Sequence, residues 1–233
     1  GLFASIVTAG SEDGYAFSED EIAGHLNILF VSTTEPIAIT LTWTLLVLSQ
    51  LPAFRHGIRD DMHGKGEIDR VVRESLRLFP PNAFMVRVTS RPATLGGVTL
   101  PAGCEIILCP FLSHRDESVF ARPNVFAPDR WKTLGELPYQ YIPFGAGGHA
   151  CVGKALALRA VTSALAFLLA RYDLVLDGDQ QIDWRLHIQF MPRPDPVVTV
   201  VPADASPARV PGVLGGPVAE MMVLDRDPLR APR

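Results

Sequence analysis

The chain is poor in the features that mark several common classes of protein. It has only three cysteines, Cys104, Cys109 and Cys151. An odd set cannot pair completely, so no disulfide framework is implied and a reducing compartment is expected. No basic excess is present: 21 Lys plus Arg stand against 25 Asp plus Glu, a formal net charge of -4. That balance weighs against a nucleic-acid partner. Internal repeats are missing, and no secretory signal precedes the first helical pattern. The first residue is Gly1 rather than Met, which reads as a fragment of a longer protein. What is present is an ordinary globular composition, 48% hydrophobic and 20% charged over 233 residues. This excludes a disordered chain and fits one large domain or two small ones.

After a short mixed opening with a turn-like Ser11-Glu12-Asp13-Gly14, Ser18-Glu19-Asp20-Glu21 has the spacing of a capping box, with Ser18 as N-cap. Ile22 to Gln50 is the longest helical pattern, stopped by Pro52. Its clean apolar run, Ile37 to Leu48, is shorter than the ~20 residues of a membrane span. His25, Asn27, Glu35 and Pro36 interrupt the rest, so a buried central helix is predicted, with a single crossing through Ile22 to Leu51 as the rival. Residues 52–63 predict a shorter helix ended by Gly64-Lys65-Gly66. Ile68, Val71, Val72, Leu76 and Phe79 then recur at helical spacing as far as Pro80-Pro81. Phe84 to Thr89 and Cys104 to Cys109 are strand candidates on either side of a Gly96-Gly97 turn. Residues 110–143 predict mostly irregular chain, with one short helix from Pro110 towards Phe120. Ala155 to Arg171 predicts a helix with Leu156, Ala160, Ala164 and Leu168 on one stripe, and Asp173 to Val201 a terminal hairpin. The tail, residues 202–233, is rich in Pro, Ala and Gly and is expected to be poorly ordered. Residues 1–201 are therefore expected to form one mainly α unit with a small β region.

The chemistry concentrates in Pro143-Phe144-Gly145-Ala146-Gly147-Gly148-His149-Ala150-Cys151-Val152-Gly153, directly ahead of a helical pattern. Glycines before a cysteine permit a tight loop whose backbone comes close to something flat. A cysteine just outside a helix start is favoured as thiolate by the helix dipole. Such a thiolate is a ligand for a soft or borderline metal, and a flat partner bearing acidic groups suggests haem. A phosphate loop is excluded because no hydroxyl follows Lys154, and zinc lacks a C-x-x-C or H-x-x-x-H partner for His149 and Cys151. A small core cysteine remains the bland alternative.

Phe144-x-x-Gly147-x-His149-x-Cys151-x-Gly153 resembles the haem-binding loop of the cytochrome P450 family. The resemblance implies that Cys151 is the proximal metal ligand of haem b, with Phe144, Gly147, His149 and Gly153 shaping its site. His149 stands where the family usually has an arginine on a haem propionate, and its charge depends on pH. Glu74-Ser75-Leu76-Arg77 is similar to the family's E-x-x-R, and Phe126-Ala127-Pro128-Asp129-Arg130-Trp131 to its P-E-R-F-type segment. On that likeness Glu74, Arg77 and Arg130 form a buried structural network, and Arg87 is a second propionate-binding arginine. The long helix resembles the family's central distal helix, whose [A/G]-G-x-[D/E]-T-[T/S] pattern manages proton delivery in dioxygen activation. Ser32-Thr33-Thr34-Glu35-Pro36-Ile37 falls on that pattern, making Glu35 the acid, with Pro36 in place of the threonine. Glu35 and Thr34 are thus the catalytic candidates; a competing register makes Thr33-Thr34 the alcohol pair with no acid ahead of it.

The likeness runs from Ser18 to Pro202, the C-terminal portion of that fold from the central helix onward; the family's full chain is nearly twice as long. It implies a soluble, cytoplasmic haem-thiolate monooxygenase, an anchor in the absent part remaining open, that inserts one atom of dioxygen into a small apolar substrate. Electrons are expected from a separate ferredoxin or flavoprotein reductase, with Arg73 and Lys154 as docking candidates. Phe84-Met85-Val86 and Leu186 to Met191 are the substrate-facing candidates. Because of Pro36, a peroxide-using, rearranging or radical-coupling enzyme is the alternative, and a truncated relic another. The chain by itself, without the preceding half, is expected to be inactive.

Overall fold

The capping box starts the first helix as its spacing implies: Ser18 N donates to Glu21 Oε2 at 2.9 Å and Glu21 N to Ser18 Oγ at 3.3 Å. In the computed structural model this helix, α1, runs over Glu19–Gln50 with Pro36 inside it. The structure describes residues 16–60, 66–135, 137–187, 189–204 and 212–224, with the single positions 4, 8 and 14. The turn expected at 11–14 lies outside the described residues except for Gly14, as do residues 61–65 of the second helix and its breaker.

α1 is only partly the buried helix that its composition suggests. Ile39, Trp43, Leu46, Val47 and Leu48 are buried, whereas Ile28, Phe30 and Val31, ahead of Pro36, are exposed. The helices and strands that pack on α1 bury it from Ile39 onward and leave its first turns uncovered. α1 is long and apolar enough to cross a membrane by length and composition alone, but Ile39 to Gln50 belong to the protein core.

α2 (Pro52–Asp60) turns back at once, and α3 (Glu67–Leu78) carries the expected stripe, burying Val71, Val72 and Leu76. Gly66, at φ +75°, starts α3 from a left-handed conformation. β1 (Met85–Val88) pairs antiparallel with β4 (Glu105–Leu108), and between them β2 (Ala93–Leu95) and β3 (Val98–Leu100) form a hairpin over Gly96-Gly97. α4 (Pro110–Ser113) is shorter than expected, and among its described residues the irregular stretch holds one more helical turn, a 3₁₀ turn over Pro128–Lys132. α5 (Lys154–Arg171) closes the helical layer.

The region after α5 is more than one hairpin. β5 (Tyr172–Leu176) pairs with β9 (Val198–Pro202), enclosing a second antiparallel pair of β7 (Asp183–Leu186) and β8 (Phe190–Arg193). The tail corrects the expectation most clearly. β10 (Leu214–Gly215) pairs parallel with β6 (Gln180–Gln181), and α6 (Pro217–Met221) comes next. Leu214, Val218 and Met222, spaced four apart, are buried in the common core. The apolar side chains outweigh the Pro/Gly-rich composition there, so 212–224 is packed chain; 205–211 and 225–233 lie outside the described residues.

The centre of the core is aromatic. Trp43 of α1 stacks on Phe79 with ring centroids 4.3 Å apart, and its indole N–H donates to Phe190 O at 2.9 Å. Phe190 N in turn donates to Pro81 O at 2.8 Å. One buried tryptophan thereby fixes the end of α3, the chain beyond it and the β7–β8 turn relative to α1. Burial of such side chains stabilises by about 1.5–3 kcal/mol each.

Candidate functional site

A buried carboxylate organises one end of α3. Glu74 and Arg77, three residues apart on a helix, face the same way, and both side chains are fully buried. Glu74 Oε1 accepts from Arg77 Nη2 at 2.8 Å, Arg130 Nε at 3.0 Å and Ala127 N at 2.9 Å. Its Oε2 accepts from Arg77 Nε and from the Trp131 indole, each at 3.0 Å. Arg77 uses its remaining N–H groups on the carbonyls of His114 (2.9 Å), Pro123 (2.6 Å) and Val125 (3.1 Å). Arg130 also reaches the Ala121 and Val125 carbonyls, and desolvation, partly offset by Glu74, lowers its pKa. These bonds pin otherwise irregular chain, residues 121–131, to α3. The sequence marks Glu74, Arg77 and Arg130, but not Trp131, whose indole completes the carboxylate's shell.

The network continues towards the glycine-rich loop through a residue that sequence reasoning missed. His114, fully buried, places Nδ1 3.2 Å from Arg77 O, and its Nε2 accepts from Ile142 N at 2.8 Å. Burial, reinforced by the charges of Arg77 and Arg115, pushes its pKa down to about 4, so the ring is neutral at pH 7. The Tyr141 hydroxyl donates to Arg73 O at 3.0 Å, and burial raises its pKa. The Tyr141 ring lies 4.7 Å from Trp131 and 5.2 Å from His114, centroid to centroid. No sequence signal singles out His114, which stands in the polar run Ser113-His114-Arg115-Asp116.

From Ile142 the chain enters the loop. Cys151 N donates to Phe144 O at 2.8 Å, closing it, and residues Gly147–His149 form one 3₁₀ turn. Gly145 has φ +70°, and a Cβ there would come within 3.4 Å of His149 O, so a side chain would be both strained and crowded. α5 begins at Lys154 with Gly153 as a cap that offers no side-chain acceptor, which leaves its positive end next to Cys151. Gly153 also keeps the space by the sulfur open, since a Cβ would lie 3.7 Å from Cys151 Sγ.

This loop forms one wall of a cavity of about 450 Å³. The Pro36 region of α1, α3, Pro81, Met85, Gln189 and α5 line the rest of it. Of the sequence candidates, Phe144, His149, Cys151, Gly153 and Glu35 line it, and Gly147 and Arg87 do not. Arg87 shares a face of β1 with Met85, which does line it, and its Nη1 donates to Val86 O at 2.9 Å. Thr34 is the clearest departure: α1 lines the cavity with Val31, Ser32, Thr33, Glu35, Pro36, Ile37 and Thr40, and Thr34 falls on the helix face that these leave uncovered. The substrate-facing candidates narrow to Met85 and Gln189; Phe84, Val86, Leu186 and Met191 are not on the wall. Arg73 and Lys154 are exposed, Arg73 lying over Trp131 at 6.0 Å.

Cys151 is a free thiol on the cavity wall; Cys104 and Cys109 are free too but off it, near the Glu105 and Ala83 carbonyls. Among the described residues no group of three or more His, Cys, Asp or Glu gathers to hold a metal ion. A single cysteine sulfur beside an apolar cavity fits a metal whose other ligands come from a macrocycle. His149 on the wall and Arg87 on the Met85 face offer nitrogen donors for acidic groups on its edge.

The chain is similar in sequence to proteins of one family. A sequence model of the cytochrome P450 family matches residues 67–199. Cyclooctatin synthase of Streptomyces melanosporofaciens is 31% identical over 73% of the chain and 41% of its own length. Pentalenene oxygenase of Streptomyces avermitilis is 27% identical over 78% of the chain and 44% of its own. The mitochondrial sterol 26-hydroxylase of Oryctolagus cuniculus is 29% identical over 76% of the chain and 36% of its own. The chain thus spans less than half the length of these relatives.

Proposed function

The chain belongs to the cytochrome P450 family, and from that premise we propose that it is the C-terminal, haem-binding part of a monooxygenase acting on an apolar organic substrate. The observation that carries this reading is the free Cys151 thiol, set at the start of α5 on the wall of a largely apolar cavity. Haem b, held through the Cys151 sulfur, would supply the oxygen-activating chemistry. The protein's own part begins with the sulfur, which the loop sets beside the start of α5 on the cavity wall. His149 and Arg87 are the proposed holders of the two propionates. Glu74, Arg77 and Arg130 fix the chain that supports the loop, a structural and not a catalytic role. Glu35 is the proposed proton carrier on the distal wall, and Ile37, Val72, Leu76 and Val161 keep water out. Relatives named pentalenene oxygenase and sterol 26-hydroxylase support an apolar substrate.

Electrons are proposed to come from a separate ferredoxin or flavoprotein reductase, docking near exposed Arg73 and Lys154. The packing of Ile39 to Gln50 in the core supports α1 as a core helix and, with it, a cytoplasmic location. A second reading, atypical chemistry such as peroxide use or rearrangement, is favoured by Pro36 standing on the cavity wall while Thr34 is off it. The deciding experiment is the carbon-monoxide difference spectrum of the reduced, haem-loaded protein. A red-shifted thiolate Soret band is expected, lost in Cys151→His even where haem is retained. Survival of the band in that variant would move the ligand to Cys104 or Cys109 and overturn the proposal.

A further inference from the structure

We infer that Gln189 is a specificity-determining residue of this cavity, selecting a substrate that carries a hydroxyl on an otherwise apolar skeleton over the bare hydrocarbon. The inference rests on the reading of the cavity as the haem and substrate pocket. Gln189 is only 8% exposed, it lines the cavity, and its Oε1 is buried with no hydrogen-bond partner. Buried polar atoms are nearly always paired, and an exception on a cavity wall asks for a water or a ligand that supplies the missing bond.

The other polar groups on the wall are in a different condition. Thr33 Oγ1 donates to the Leu29 and Phe30 carbonyls, and Thr40 Oγ1 to Pro36 O at 2.7 Å, so both are satisfied within α1. Ser32, Glu35, Asn82 and His149 are exposed and can be hydrated. Among the described residues of the wall, Gln189 alone is both buried and unsatisfied.

Its backbone is also held firmly, so the amide is presented and not merely adrift. The next residue, Phe190, donates through N to Pro81 O at 2.8 Å, accepts at O from the Trp43 indole at 2.9 Å, and begins β8. Gln189 thus enters from the β7–β8 turn, beside Pro81 and α1, and not from the Cys151 loop. Ile37, Val72, Leu76, Met85, Leu158 and Val161 make most of the remaining wall apolar. An apolar skeleton with one O–H is the ligand whose chemistry matches: the skeleton meets the wall and the hydroxyl donates to Oε1. A bare hydrocarbon would leave the acceptor dry and unpaired.

The test compares the haem-loaded protein with Gln189→Met, nearly isosteric and apolar, and with Gln189→Leu should the first fold poorly. Probes are 4-phenylimidazole and its three ring-hydroxylated isomers, titrated by optical difference spectra. The azole anchors each probe at the iron while the aryl ring explores the pocket. At least one hydroxylated isomer is expected to bind the unmodified protein about tenfold tighter than 4-phenylimidazole, the worth of one buried hydrogen bond. Gln189→Met should erase that preference. A preference that survives the substitution, or one found for no isomer, overturns the inference. Without any probe, removal of an unpaired buried amide should raise the melting temperature, by about 2–4 °C. A lower melting temperature in both variants would make Gln189 a structural residue and equally overturn it. Loss of the thiolate band is a separate failure, that of the pocket reading, and the melting comparison still reads Gln189 on the same protein.

Discussion

His114 Nε2 accepts the backbone N–H of Ile142 at 2.8 Å, and the same ring contacts Arg77 O through Nδ1 at 3.2 Å. One neutral imidazole therefore couples the end of α3 to the entrance of the glycine-rich loop. Protonation would convert its only acceptor into a donor facing another donor, with Arg77 and Arg115 already close. Because the folded-state pKa is depressed to about 4 from an ordinary 6.5, the folded state binds fewer protons than the unfolded chain in that interval. The contribution is complete above pH 6.5 and is lost as the pH falls towards 4, about 3 kcal/mol in all. Melting curves from pH 7.5 to 4 should show a steeper acid loss in the unmodified protein than in His114→Gln. Parallel curves would remove His114 from the account.

The Glu74 shell makes a graded prediction. Trp131→Phe keeps an aromatic ring but deletes one donor to a buried carboxylate, and should cost about 1–3 kcal/mol. Glu74→Ala strands Arg77 and the Arg130 guanidinium and should cost about 3–5 kcal/mol, appearing as poor folding or poor haem uptake. Denaturant unfolding and haem content measure both. Glu74→Ala protein that is soluble, fully haem-loaded and as stable as Trp131→Phe would contradict the network.

Much of this arrangement is legible in the amino-acid sequence alone. Ser18 and Glu21 announce the start of α1, the stripe from Ile68 to Phe79 announces α3, and the spacing within residues 144–153 announces the loop. These are local patterns, decided by neighbours within about one helical turn. What stays hidden depends on residues far apart in the chain. The Trp131 indole meets Glu74 across 57 positions and His114 meets Ile142 across 28, and no period encodes either bond. The tail is an intermediate case. Leu214, Val218 and Met222 do have a four-residue spacing, but it is short, and Pro and Gly nearby outweigh it. Which hydroxyl of Thr33-Thr34 faces the cavity turns on a single residue of helical phase, which Pro36 makes hard to judge.

Gly145 is a local position with a distant consequence. At φ +70° and with His149 O 3.4 Å from where a Cβ would stand, Gly145→Ala should strain the loop by about 1–2 kcal/mol. Since Gly145 itself lines the cavity and the loop carries Cys151, haem retention during gel filtration should fall more than far-ultraviolet helicity. Equal haem retention in variant and parent would show that the loop relaxes freely.

Pro36 bears most directly on the chemistry. It stands on the cavity wall beside Glu35, lacks a backbone N–H, and so leaves the Ser32 carbonyl without its helical donor. It also has no hydroxyl, whereas the family pattern places a threonine there to help deliver protons. Glu35 then faces the cavity with Ser32, one helical turn earlier, as the nearby alcohol on the wall, because Thr34 is turned away and Thr33 donates to carbonyls of its own helix. Ser32, a substrate hydroxyl or an ordered water has to supply the donor that the threonine would. Without one, reduced oxygen should escape as peroxide and product per electron pair should be low. Pro36→Thr should raise that ratio with a substrate lacking hydroxyls and change it little with a hydroxylated one. The helix should tolerate the change, since an interior proline is about 3 kcal/mol less favourable than alanine. Product and peroxide, each measured against reductant consumed, decide the matter for the parent, Pro36→Thr and Glu35→Gln. Tight coupling in the parent on a hydroxyl-free substrate, unmoved by either substitution, would refute both the role of Glu35 and the consequence drawn from Pro36.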